Sequence, residues 1–140
     1  MTRRAWLAIS ITGSMAGRCV AADPAREVFE LVSDAAASLS AGNSAEFLRA
    51  FDKRMPGYAK LRENVTGLLA LGEVQSVIEP VEDAGDAQRR TAQFQWTLRI
   101  LRGSQATAST RREQVVKCTA EKQGGKGRIT AIEPVEFFAP

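Results

Sequence analysis

Histidine is absent from this chain of 140 residues. Because histidine is the commonest metal ligand and the commonest general base at neutral pH, its absence excludes the Ser-His-Asp and Cys-His catalytic arrangements. Neither glycine-rich phosphate-binding motif occurs, since residues 124–127 fit a hairpin turn and not a loop that leads into a helix. We therefore expect no metal and no other cofactor, and the chemistry that remains is that of carboxylates and of one tyrosine.

Residues 1–22 resemble an export signal. Arg3 and Arg4 precede an apolar stretch, and small residues lead up to Ala22, after which we expect signal peptidase to cut. Residues 2–7 also resemble the twin-arginine consensus, which directs folded proteins across the membrane. An ordinary secretory signal is the alternative. In both cases we expect an exported protein, periplasmic or extracellular, with one domain over residues 23–140.

Removal of this leader would change the charge and the thiol content. The formal net charge of +3 comes from Arg3, Arg4 and Arg18, so residues 23–140 carry equal numbers of acidic and basic side chains. We expect no nucleic-acid binding, because it requires a surplus of lysine and arginine. Cys118 would be the only remaining thiol, which excludes an internal disulfide, and its apolar neighbours predict burial. No later segment is long and apolar enough to predict a membrane span.

The first half of the mature chain has the apolar spacing of helices. Asp23 suits an N-cap with Pro24 in the first turn, Gly42 ends this helix, and Asn43 or Ser44 caps the next. The predicted helices cover residues 24–41, 45–52 and about 58–71.

The second half of the chain alternates apolar and polar residues, which is typical of strands. The predicted strands cover residues 73–82, 90–101, 111–122 and 128–138, with a first turn at residues 83–86. Pro80 and Pro134 are predicted bulge positions, because proline cannot donate a ladder hydrogen bond. The order of elements predicts an α+β domain. We expect a cone-shaped half-barrel in which three N-terminal helices pack on a curved antiparallel sheet of about four strands and enclose a pocket.

The order of these elements and the second-helix segment, residues 43–48, resemble the nuclear-transport-factor-2-like superfamily, whose members include SnoaL-like and ketosteroid isomerase-like proteins. Residues 51–58, 89–91 and 132–138 are similar to an uncharacterised exported bacterial branch of it. The resemblance covers about residues 24–138. It implies the cone fold and, as in many relatives, a homodimer joined through the exposed sheet face. It implies no single activity, since members include enzymes, binding modules and assembly domains.

Asp52 and Tyr58, which flank the turn at residues 55–57, are the candidate catalytic residues. In a ketosteroid isomerase-like pocket an aspartate moves a proton while a tyrosine stabilises the oxyanion. The structural alternative is that Asp52 ends a helix in solvent and that the Tyr58 ring packs at the start of the third helix. Neither residue matches the catalytic positions of that isomerase, which argues against activity.

Phe94 and Trp96 are the candidate ligand-binding residues, because they would face the pocket from the central strand; the alternative is that they belong to the core. Basic residues are concentrated in the sheet, where Arg99, Arg111 and Lys117 share a predicted polar face. They could receive an anionic ligand or an acidic envelope protein. Alternatively, they protect exposed strands from aggregation.

Three functions fit these residues. The first is a non-catalytic binding or assembly domain of the cell envelope, the second a carrier of a small apolar ligand, and the third a cofactor-free isomerase, dehydratase or cyclase. A cone filled by side chains favours the first, and an open pocket without an ionisable group favours the second. An open pocket of more than about 300 Å³ that holds a desolvated carboxylate favours the third.

Overall fold

The computed structural model describes residues 23–102 and 109–140, so the predicted leader lies outside the described residues. Three helices come first: α1 (Pro24–Ser40), α2 (Ser44–Arg49) and α3 (Tyr58–Leu71). The Asp23 carboxylate caps α1 by accepting from the backbone N–H of Arg26, and the Asn43 side chain caps α2. Within the described part of the chain, no helix has the length and apolar character needed to cross a membrane.

Helix α2 ends three residues earlier than the sequence predicts. Beyond Arg49 the backbone turns toward the last strand, where Phe51 forms an isolated parallel bridge with Ile129. The Ile129 N–H donates to the Ala50 carbonyl at 2.7 Å, and the Asp52 N–H donates to the Ile129 carbonyl at 2.8 Å. These long-range hydrogen bonds replace a further helical turn.

Four strands follow in an antiparallel sheet of order β1-β2-β3-β4. They are β1 (Gly72–Gly85), β2 (Arg89–Arg102), β3 (Ser109–Gln123) and β4 (Lys126–Glu133). The first turn was predicted at residues 83–86 but lies at residues 86–88, because one Asp86 carboxylate oxygen accepts from the N–H groups of Gln88 and Arg89. Gly124 and Gly125, both with positive φ, form the two-residue turn between β3 and β4.

One predicted bulge is confirmed and the other is wrong. The β1-β2 register shifts between Pro80 and Glu82, as expected for a proline in an edge strand. Strand β4 ends at Glu133 and does not continue to residue 138, since a 3-10 helix over Val135–Phe138 follows Pro134. This turn of helix brings Phe137 and Phe138 into the core, which a continued strand could not do.

The three helices and the 3-10 helix cover one face of the sheet, which does not close on itself. This confirms the predicted α+β cone. Aromatic rings from each layer meet in its centre: Trp96 of β2 contacts Phe138 edge-on, with ring centroids 5.1 Å apart, and Phe138 lies 5.8 Å from Phe47 of α2. Such pairs stabilise a core by about 0.5–1.5 kcal/mol beyond the burial of their area. The largest fully buried side chains are Trp96, Phe47, Phe51, Phe94, Phe138, Leu39, Leu61, Leu68, Leu98, Ile100, Ile129 and Val32.

Candidate functional site

The interior of the cone is filled by its own side chains. Trp96 is fully buried, and its indole Nε1 donates to the Ser76 hydroxyl at 2.8 Å. Ser76 is itself held to α1, because its backbone N–H donates to the Ser40 hydroxyl at 2.9 Å. The one polar group of the indole is therefore satisfied within the protein, and Trp96 belongs to the core.

Asp52 is a carboxylate engaged in local structure. It accepts from the backbone N–H of Arg54 at 2.9 Å and from the Gln123 side-chain amide at 2.8 Å, and 14% of its side chain is exposed. These hydrogen bonds, first the Arg54 N–H and then the Gln123 amide, hold the pKa of Asp52 below its usual value. Through its hydrogen bond with Gln123, the Asp52 carboxylate attaches the loop after α2 to the β3-β4 hairpin. Because hydrogen-bond donors keep this carboxylate ionised, it is poorly suited to deliver a proton.

Tyr58 is half-buried against the core at the start of α3. The open surface cavities, which hold about 350 to 590 Å³, include neither Tyr58 nor Asp52 in their walls. Among the described residues, none of these four cavities brings the two candidate catalytic residues together beside a space for substrate. Their catalytic role stays a prediction.

Cys118 lies on the inner face of β3, opposite Ala92 of β2 and Ile132 of β4. It is fully buried, and this burial raises the pKa of its thiol to about 12. The thiol is therefore neutral at physiological pH and lacks the nucleophilic character of a thiolate. In residues 23–102 and 109–140, no three acidic or cysteine side chains come together as metal ligands.

Phe94 reaches the surface at one place, an open groove between α1 and the bulge of β1. The groove holds about 420 Å³, and its walls include Phe94, Phe29, Val81 and Pro80. Neither Phe29 nor Val81 was identified as a functional residue from the sequence, although these residues are 38% and 52% exposed. Phe29 directly follows the core residue Val28 and so leaves the apolar stripe of α1, which is the signal that could have identified it.

On the other side of α1, a cavity of about 350 Å³ lies beside the β1-β2 and β3-β4 turns. Its charged side chains largely neutralise one another, since Glu27 pairs with Lys122 at 3.1 Å and Arg89 with Glu121 at 3.6 Å. We assign no ligand to this cavity.

Arg112 is a further residue that the sequence analysis did not single out. It lies opposite the buried Leu98 on the inner face, and its Nη1 donates to the backbone carbonyls of Phe137 and Ala139. Strand periodicity could have shown that Arg111 and Arg112 face opposite sides of the sheet. The contacts give Arg112 a structural role, the attachment of the segment after β4 to β3.

The outer face of the sheet has no covering layer among residues 23–102 and 109–140. The predicted basic residues do share it, with Arg99 of β2 opposite Arg111 of β3 and Lys117 farther along β3. Two apolar side chains interrupt it: Val77 of β1 is 59% exposed and Val115 of β3 is 43% exposed. Their opposite residues on β2, Thr97 and Gln95, are uncharged.

No protein-family model matches this chain, and no curated protein matches it in sequence. Solved structures do match it, in fold. A protein of unknown function from Mycobacterium tuberculosis superposes with a TM-score of 0.66 at 11% identity, over 88% of this chain and 75% of that one. A nuclear-transport-factor-2-like superfamily protein from Salmonella enterica serovar Typhimurium gives a TM-score of 0.64 at 12% identity, over 76% of this chain and 86% of that one.

The chain has the nuclear-transport-factor-2-like fold. A structure from Novosphingobium aromaticivorans with this fold, provisionally named a scytalone dehydratase, gives a TM-score of 0.63 at 11% identity, over 84% of this chain and 85% of that one. At such identities the nuclear-transport-factor-2-like fold carries no activity with it, because the fold serves many functions. Function must therefore be argued from the surfaces of this molecule.

Proposed function

We propose that this protein is an exported, non-catalytic assembly domain of the cell envelope that forms a homodimer through the outer face of its sheet. The observation that carries this proposal is the contrast between a filled cone and an uncovered outer face with two exposed valines. Side chains of the described residues occupy the centre of the cone, and two open cavities lie beside α1.

The outer face has the chemistry of an interface. Val77 and Val115 flank β2, whose outer residues between them are Thr97 and Gln95. An apolar and uncharged centre surrounded by charged residues is the usual arrangement of a protein interface, which excludes charge from its core and keeps it at the rim. Exposed valines without such a partner would favour aggregation.

The export part of the proposal rests on the sequence alone. The two arginines, the apolar stretch and the small residues that end at Ala22 support it. Helix α1 has Asp23 as its N-cap, and Asp23 is the first residue after the expected cleavage site.

Native mass spectrometry of the protein, purified from cells that express the full-length chain, tests both parts. We expect a mass of two copies, each without residues 1–22. Val77→Asp should give monomers that keep the native circular dichroism spectrum, because an aspartate at the centre of the interface would be buried without a partner. A monomer at all micromolar concentrations would overturn the assembly role, and an uncleaved chain would overturn export.

A second function, the binding of a small apolar ligand, is favoured by the groove that Phe29 and Val81 line. Phe29→Asp separates the two functions, because Phe29 lies on α1 and away from the outer face. Under this alternative, the mass spectrum of the native protein shows a bound small molecule that Phe29→Asp loses while its dimer persists. A native protein without bound mass that gains none with apolar probes such as naphthalene excludes it.

A further inference from the structure

The outer face carries its charges in separate columns, one for each strand. Residues paired across strands share a face of the sheet, so the register assigns them. The outer residues of β1 include three acids, Glu73, Glu79 and Glu82, opposite Leu101, Gln95 and Gln93 of β2; we call these the acidic column. The corresponding residues of β3 include Arg111 and Lys117, which we call the basic column.

These charges are available for a partner. Within residues 23–102 and 109–140, ion pairs engage neither the acidic column nor Lys117, whereas Arg111 pairs with Glu113 at 3.3 Å. The two columns are separated by β2, whose outer residues 91, 93, 95 and 97 are threonine and glutamine and whose outer residue 99 is arginine. The face is therefore acidic along β1 and carries both signs along β3, where Glu113 lies between Arg111 and Lys117, and Glu133 of β4 is paired with Lys117.

The two possible twofold axes bring different charges of this face together. Homodimers usually have a twofold axis, and two packed sheets keep their strands nearly aligned. An axis parallel to β2 places β1 of each copy over β3 of the other, so that Glu82 and Lys117 meet twice, while the two Arg99 side chains face each other at the axis. An axis perpendicular to the strands places β1 over β1, so that six carboxylates face one another, and like charges across an interface oppose association.

We infer that the proposed dimer forms around a twofold axis parallel to β2, with the acidic column of each copy against the basic column of the other. This rests on the proposed function and adds the orientation of the partner. Glu82 and Lys117 both pair with Gln93, so each Glu82 faces the second copy's Lys117. Val77 and Val115 lie one outer position apart along β2, and in this orientation they meet near the axis.

The available area fits this arrangement. Strands of 14 to 15 residues, β1 to β3, form the outer face. At about 3.3 Å per residue and about 4.8 Å between strands, they present roughly 650 Å² before side chains enlarge the contact. A stable interface buries about 800 Å² on each partner. Much of the outer face must therefore take part, both charge columns included.

Charge exchange tests the orientation. The dissociation constant is measured by sedimentation velocity for the unmodified protein, Glu82→Lys, Lys117→Glu and the double variant, all purified from cells that express the full-length chain. Each single change should weaken the dimer at least about tenfold, because each dimer contains the contact twice. The double variant should return to within about threefold of the unmodified protein. Glu63→Lys, an equal charge change at an exposed position of α3, should leave the dissociation constant unchanged.

The outcomes separate the orientation from the dimer itself. If the unmodified protein dimerises but the single changes have no effect, or if Glu82→Lys tightens association by relieving repulsion between acids, the orientation is wrong and the assembly role stands. If the double variant is weaker than both single variants, the orientation is also wrong. An unmodified protein that stays monomeric overturns both proposals.

Discussion

The two faces of the sheet differ strongly in burial and in the type of side chain that they carry. On β2 the inner residues Ala92, Phe94, Trp96, Leu98 and Ile100 are buried, whereas the outer residues between them are threonine, glutamine and arginine. Since neighbouring residues of a strand point to opposite faces, both chemistries come from one continuous segment. The inner face is used by the fold, and the two functions proposed above therefore rest on the outer face and on the groove beside α1.

The largest loss of stability should follow from removing a side chain that is buried on the inner face. Trp96→Ala removes the largest buried side chain and leaves a cavity beside Phe138, so we expect the free energy of unfolding to fall by about 3–5 kcal/mol. Thr97→Ala changes the next residue on the outer face and should alter stability by less than about 0.5 kcal/mol. Urea unfolding followed by circular dichroism measures both, and equal effects would contradict the assignment of the faces.

A smaller effect should follow from removing the one hydrogen bond of the indole. Ser76→Ala leaves the Trp96 N–H without its acceptor, and we expect a loss of about 1–3 kcal/mol. In a Trp96→Phe background the same change should matter less, because no indole donor remains. If Ser76→Ala costs the same in both backgrounds, the hydrogen bond does not stabilise the fold.

Alkaline pH should lower the stability of the fold because Cys118 is buried on the inner face. Burial raises the folded pKa from 9.0 to about 12, so the thiol stays neutral in the fold while the unfolded chain ionises. The contribution of the neutral thiol to the free energy of unfolding is fully present below about pH 9 and is lost as the pH rises toward 12. Urea midpoints between about pH 7 and pH 10.5 should therefore fall further for the unmodified protein than for Cys118→Ala. Parallel curves would show that Cys118 does not titrate differently on unfolding.

The smallest effect should come from Asp52, whose pKa is lowered from 3.8 in the fold. A lowered carboxyl pKa stabilises the fold above about pH 4, and this contribution is lost as the pH falls through the folded value. Asp52→Asn should therefore lower the urea midpoint at pH 7 and have less effect near pH 3. Asp34→Asn, on the exposed surface of α1, is the control. An effect of Asp52→Asn that does not change with pH would exclude this electrostatic contribution.

Local sequence patterns predicted most of the fold. The bounds of α3 were predicted correctly, and β2 extends only one residue beyond each predicted end. These segments obey simple periodicities of 3.6 and 2, and Gly72 marks the end of α3 in the sequence itself. The errors at the ends of α2 and β4 arise where distant segments decide, through the pairing of Ala50 with Ile129 and the burial of Phe137 and Phe138.

The candidate site was less predictable for the same reason. The environment of Asp52 depends on Gln123, which is 71 positions away in the chain, and no local pattern announces that contact. The groove depends on Phe29 of α1 meeting the bulge beside Val81 of β1. By contrast, the shared face of Arg99, Arg111 and Lys117 follows from strand periodicity alone once the strands are placed.

The pairing of residues 50–52 with Ile129 also has a consequence for biosynthesis. It joins the helical half to β4, so a ribosome must produce the chain at least as far as Ile129 before the half-barrel can close. During translation the helices have no complete sheet on which to pack. A transport machine that accepts only folded cargo would therefore have to act on this protein after β4 has been made.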